Sequence, residues 1–134
     1  MTWLLKNESA GKLVLRLTVG LLILFHGVGK LLDPGKLDFI SSRLTGLGLP
    51  DFIVWGVYAG EVIAPLMIIF GVMTRLGGGL IVINMLFAIA LVHMGDVFTL
   101  SAQGGWRLEL QAFYLFGALA ILLLGSGRYA IKPD

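Results

Sequence analysis

The sequence contains no cysteine. That absence removes disulfides, thiolate-bound zinc, iron–sulfur clusters and thiol nucleophiles from the available chemistry, and it leaves the redox compartment open. Charge is scarce as well. Asp, Glu, Lys and Arg make up 13% of the 134 residues, against roughly a quarter in soluble domains. The ten Lys and Arg are scattered among apolar runs. They form no basic stripe despite a pI near 9.2, so a nucleic-acid partner is set aside. No dinucleotide-binding fingerprint and no metal-spacing motif occurs.

Apolar residues fill the chain instead: 57% are hydrophobic and the mean hydropathy is +0.94. Four apolar stretches, residues 13–32, 52–72, 78–94 and 106–125, each approach the ~20 residues that cross a hydrocarbon core. A spanning strand needs only about ten residues with strict alternation, and none of these runs alternates. The expectation is an all-α integral membrane four-helix bundle, a single transmembrane domain over residues 1–134. The first stretch is too long for the apolar region of a signal peptide. Lys30-Leu31-Leu32-Asp33-Pro34 follows it in place of a small-residue cleavage site, so it reads as an uncleaved span.

Between the first two spans, Leu37, Ile40, Leu44 and Leu47 recur at spacings of three and four, with Lys36, Asp38, Ser42 and Arg43 between them. This pattern predicts a short amphipathic surface helix between helices 1 and 2. The remaining connections are short, which makes sequential helices antiparallel neighbours. Lys6, Lys12, Arg16, Arg75, Arg128 and Lys132 fall on one side, and Lys30, Lys36, Arg43 and Arg107 on the other. The richer side is expected to be cytoplasmic, an N-in/C-in arrangement. Trp55 and Trp106 are then expected at the outer interface, and Trp3 and Tyr129 near the inner one.

Ionisable residues inside the spans carry the most information, because a charge at the bilayer centre costs at least ~2.5–3.5 kcal/mol. Arg16 lies close enough to a helix end to snorkel to water. Counting ~1.5 Å per residue from the outer ends places His93 and Glu109 within roughly 6 Å of the boundary, His26 roughly 9 Å in and Glu61 about 15 Å down. Lys30 follows His26 by four and shares its helix face. If these faces converge, they form one polar pocket opening outward. Pro65, four residues after Glu61, removes the donor for the Glu61 carbonyl and is expected to kink the helix. The Glu61 carboxyl is then either protonated or paired with Lys30 or a histidine.

Simpler structural readings stand beside these. Glu61 and His26 also suit plain inter-helix bonding, and His93 and Glu109 suit solvated helix ends. Asn84 reads as inter-helix glue, and Gly20, Gly27, Gly29 and Gly77-Gly78-Gly79 as points of close helix contact. A haem between His26 and His93 passes the depth arithmetic and has no other support. A carboxylate–histidine metal site lacks any local spacing motif, and none is assigned.

The string Phe25-His26-Gly27-Val28-Gly29-Lys30-Leu31, preceded by Arg16, resembles the first helix of the DoxX family of small bacterial membrane proteins. Gly48-Leu49-Pro50, Gly60-Glu61, Phe70-Gly71-Val72-Met73-Thr74-Arg75, His93, Glu109 and Gly125-Ser126-Gly127-Arg128-Tyr129 extend the likeness over nearly the whole chain after Gly11. The resemblance implies a multi-pass protein of the bacterial inner membrane, labelled an oxidoreductase and associated with quinone-linked chemistry and soluble partners. Its polar positions fall on His26, Lys30, Glu61, Arg75, His93 and Glu109. Together these readings lead to an oxidoreductase component that binds a quinone-like or other small redox molecule. Glu61 and His26 are the candidate catalytic residues, and Lys30, His93, Glu109 and Arg75 the candidate substrate-binding residues. With no electron carrier in the sequence, the electrons are expected from a soluble redox partner protein or from the substrate. The alternatives are a small-molecule transporter or permeability factor, and a non-catalytic membrane anchor for a soluble partner.

Overall fold

The computed structural model describes residues 5–134; Trp3 lies outside the described residues. The described fold is all-helical, with only two isolated β-bridges. Helix α1 spans Glu8–Leu32. It begins earlier than hydropathy suggests because the Asn7 side chain accepts from the Ala10 N–H at 3.0 Å, and Glu8 lies in the first turn, where a carboxylate suits the helix dipole. It ends at Asp33, where Pro34 disfavours further α-helix. A 3-10 turn, Pro34–Leu37, leads into the short helix α2, Asp38–Gly46. This is the expected amphipathic segment, and its apolar side faces the bundle: Leu37 and Leu44 are buried.

The second span, α3 (Asp51–Phe70), is the least regular. A 3-10 turn at Asp51–Trp55 and one α turn lead into a π-helical turn at Ala59–Ile63, followed by α-helix over Ala64–Phe70. Pro65 has no N–H to give back to the Glu61 carbonyl, and the wider turn, in which the Ala64 N–H donates to the Ala59 carbonyl, accommodates that loss. The departure from α geometry expected at Pro65 therefore takes the form of a π turn just before it. Gly27 of α1 packs on the freed carbonyl so closely that a methyl group there would overlap the Glu61 oxygen.

Gly71, in the left-handed conformation (φ 74°), closes α3. After a three-residue turn, α4 (Thr74–Val92) runs back, and α5 (Glu109–Leu124) completes the bundle. The Gly77-Gly78-Gly79 run lies within α4, and Gly78 rests against the Ala118 carbonyl of α5. Helices α1, α3 and α4 are long and apolar enough to cross a membrane; α5, with 16 residues, is shorter. Val19, Ile23, Ala64, Ile68, Ile81, Met85, Tyr114, Ala118 and Ile121 make the core. Phe25, Phe113, Phe116 and Ile83 point outward. A belt of exposed large apolar side chains around a small core is what a lipid solvent permits.

Arg16 departs from the sequence expectation. It is 1% exposed rather than snorkelling. Its guanidinium donates to the Ile68 and Ile69 carbonyls at the end of α3 (2.8 and 3.2 Å) and to the Ser126 and Tyr129 carbonyls of the C-terminal segment (2.9 and 2.7 Å). Carbonyls that a helix end leaves without partners suit a buried cation better than a stretched path to water.

Candidate functional site

The ends of α1 and α4 and the starts of α3 and α5 share one end of the bundle, called here the loop end. The start of α1 and the C-terminal segment lie at the other, the terminal end. A cavity of about 350 Å³ opens at the loop end among all four helices, with Phe39 and Ile40 of α2 in its wall.

Helical spacing explains which side chains reach it. On α1, Ile23, His26 and Lys30 (i, i+3, i+7) share one face. On α4, Asn84, Ala88 and Leu91 do the same, and His93 stands just past the helix end. On α5 the facing residues are Gln111 and Tyr114. The π turn of α3 delivers Glu61, which is buried.

The Lys30 ammonium donates to Glu61 Oε1 at 2.6 Å, with side-chain exposures of 19% and 9%. Of the open alternatives for Glu61, the structure adopts pairing with Lys30. The Tyr58 hydroxyl donates to the Lys30 carbonyl at 3.4 Å, and Lys36 adds a second ammonium to the cavity wall. Two ammonium groups against one carboxylate favour an anionic oxygen on whatever enters. The His26 ring meets Tyr114 edge-on, with centroids 5.9 Å apart. His93 Nε2 lies 3.4 Å from Gln111 Nε2, and its Nδ1 lies 3.6 Å from Asp96 Oδ2. The Asn84 Nδ2 and Gln111 Oε1 atoms are buried and have no hydrogen-bond partner.

The structure thus brings together His26, Lys30, Glu61 and His93. It does not bring Glu109 or Arg75 to this cavity. Glu109 sits beside Gly105 and lines a separate apolar groove between α1 and α5, with Trp106 and Phe113. Glu109 and Gln111 are two positions apart, a rotation of ~200° on a helix, so only one of them can face the cavity. Arg75 is at the terminal end, where it donates to the Leu122, Leu123 and Asp134 carbonyls. Among the described residues no three His, Asp or Glu side chains gather in a metal-holding group.

Sequence reasoning passed over Gln111, Tyr114, Lys36 and Asp96, and it read Asn84 as glue. A signal for Gln111 was present: Gln111, Tyr114, Ala118 and Ile121 fall at spacings of three and four. A polar residue thus opens the face that α5 turns to the core.

The chain is similar to known proteins. The DoxX family model matches residues 11–94, a stretch that holds His26, Lys30, Glu61, Asn84 and His93. A protein of Bacillus subtilis (strain 168), "Putative oxidoreductase CatD", is 30% identical over 129 residues, covering 96% of this chain and 89% of that one. No solved structure matches the chain. With a family model over more than half its length and a relative aligned almost end to end, this chain belongs to the DoxX family of membrane proteins.

Proposed function

We propose that the chain is a membrane oxidoreductase component that binds a quinone-like or other small redox molecule in the loop-end cavity. The observation that carries this reading is the Lys30–Glu61 ion pair, held at 2.6 Å in the wall of a largely apolar cavity. Intramembrane ion pairs are costly and mark sites of proton or ligand chemistry. The name of the Bacillus relative supports the reaction class.

In this reading Glu61 exchanges the proton with an oxygen of the ligand. While Glu61 carries a proton taken from water, its hold on Lys30 weakens and the ammonium turns to the ring. As two electrons arrive, Glu61 passes that proton to one ring oxygen, and the ammonium stays on the anionic second oxygen of the monoprotonated reduced form. His26 and His93 hydrogen-bond the headgroup. The two electrons come from a soluble partner or a reduced co-substrate, since the chain's own side chains offer no carrier. The bundle sits in the bacterial inner membrane with both termini inside and the cavity opening on the outer side.

The test is an absorption spectrum and mass spectrometry of extracted ligand on protein purified in mild detergent, with Glu61→Gln alongside. The expected result is a near-stoichiometric quinone or its quinol in wild type that is lost in the variant. Quinone turnover at wild-type rate in both Glu61→Gln and His26→Ala would overturn the proposal. An empty cavity combined with solute flux in liposomes would favour transport instead.

A further inference from the structure

The chain has three tyrosines, and their hydroxyls are treated differently. Tyr58 donates to the Lys30 carbonyl, and Tyr129 accepts from the Arg128 guanidinium. Tyr114 of α5 is buried, at 7% exposure. Among the described residues its hydroxyl has no hydrogen-bond partner: the side-chain bonds of the cavity wall join Lys30 to Glu61 and Gln111 to His93 and leave it out. A buried tyrosine hydroxyl usually finds a partner. Nor is this oxygen sealed. Among the described residues, the side-chain atoms that are both sealed and unpartnered belong to Thr74, Asn84 and Gln111, so the Tyr114 oxygen keeps accessible surface.

That surface opens on the loop-end cavity. Tyr114 lines the cavity and also borders the groove between α1 and α5, but the groove wall is apolar almost throughout. The His26 ring meets the Tyr114 ring edge-on, with centroids 5.9 Å apart, and the Glu61 carboxylate lies within electrostatic reach of the phenol. Packing alone asks for no hydroxyl here, since phenylalanine would fill the same space on the core face of α5. A phenol oxygen stands on the ring axis, so a ring flip leaves it in place and only the O–H direction turns.

We propose that Tyr114 is a ligand-contacting residue whose hydroxyl donates to an acceptor oxygen, carbonyl or phenolate, on the ring that enters the cavity. This rests on the cavity being the ligand site. Water can meet the hydroxyl in the unliganded protein, and the ligand oxygen takes its place. The bond tightens as that oxygen gains charge, because an ionised acceptor roughly doubles the strength of a hydrogen bond. Tyr114 therefore favours an oxygen-bearing ring over a hydrocarbon of the same shape, and it adds a neutral donor beside the Lys30 ammonium for the anionic reduced form.

The test compares wild type and Tyr114→Phe as full chains in mild detergent. The probes are 1,4-naphthoquinone and naphthalene, followed by equilibrium dialysis against protein-free micelles. Tyr114→Phe is expected to bind naphthoquinone about fivefold more weakly, the worth of one hydrogen bond, and naphthalene unchanged. The infrared carbonyl band of bound naphthoquinone should move to higher wavenumber in the variant. Unfolding by dodecyl sulfate should come at the wild-type detergent fraction or above it, because no bond within the protein is lost. Unchanged naphthoquinone affinity, an equal loss for both probes, an unmoved carbonyl band or easier unfolding each overturn the assignment of Tyr114 and leave the cavity reading standing. If wild type binds neither probe, the cavity reading itself fails and takes Tyr114 with it.

Discussion

Replacing Arg16 separates two physical pictures of the terminal end. The side chain makes four hydrogen bonds to carbonyls while 1% exposed. At ~1.5–3 kcal/mol for each bond to a charged group, the gross sum is ~6–12 kcal/mol. Removing the cation also removes its desolvation cost, and breaking such a buried network by deleting one partner typically costs ~3–5 kcal/mol. We therefore expect Arg16→Met to lose ~3–5 kcal/mol, because it strands the Ile68, Ile69, Ser126 and Tyr129 carbonyls. Arg16→Lys keeps the charge but has three donors and no planar fork, so it recovers about half. The assay is unfolding by sodium dodecyl sulfate in mixed micelles, followed by far-ultraviolet circular dichroism. A loss under ~1 kcal/mol for Arg16→Met would mean that the side chain reaches water, and would refute the buried clamp.

Three further outcomes follow from the geometry. Lys30→Met and Glu61→Gln, singly and together, form a double-mutant cycle with an expected stability coupling of ~1–3 kcal/mol; additivity within ~0.5 kcal/mol would show that the pair is not coupled. Gly27→Ala drives a methyl into the Glu61 carbonyl and is expected to cost ~1–3 kcal/mol in the same unfolding assay. Gly29→Ala, which meets nothing closer than the Lys36 ammonium at 3.7 Å, should be neutral or gain up to ~1 kcal/mol, and equal costs at the two positions would argue against the α1–α3 contact. Because the chain has no cysteine, a single Cys at Ser42 or Ser101 reports the side on which the loop end lies. An impermeant thiol reagent should reach it from outside intact cells, and labelling only from the cytoplasmic face would invert the proposed topology.

Most of the architecture was legible because lipid imposes a simple rule on composition. The four apolar runs all became helices, and the 3–4 spacing of Leu37, Ile40, Leu44 and Leu47 became the Pro34–Leu37 turn and α2, with Leu47 just past its end. Boundaries were less legible, since hydropathy reports lipid contact and not hydrogen bonding. It overlooked the Asn7 cap that starts α1 at Glu8, and it began the last span three residues before α5 starts. At the site, a charge in an apolar span is conspicuous, and that alone singled out His26, Lys30, Glu61 and His93. The same conspicuousness drew attention to Glu109 over Gln111, although a rotation of ~200° separates them. Depth along α1 said how far Arg16 is from water. It could not say that carbonyls from Ser126 and Tyr129, more than a hundred positions later, would meet it.

The two ends of the bundle treat their polar groups differently. At the terminal end, Arg16 and Arg75 each satisfy several backbone carbonyls, and the C-terminal segment is tied to the α3–α4 turn through Ile131 and Lys132. Among the described residues, the one buried orphan there is the Thr74 hydroxyl. At the loop end, one tight ion pair coexists with two buried amide atoms that have nothing to bond. Stability alone would replace Asn84 and Gln111 with apolar residues of similar size, since a half-satisfied polar network is worse than none. Both residues line the same cavity as Lys30 and Glu61, and Gly27 and Gly60 let the π turn of α3 come close enough to present Glu61 there. The terminal end supplies rigidity, and the loop end carries polar groups that packing alone does not require.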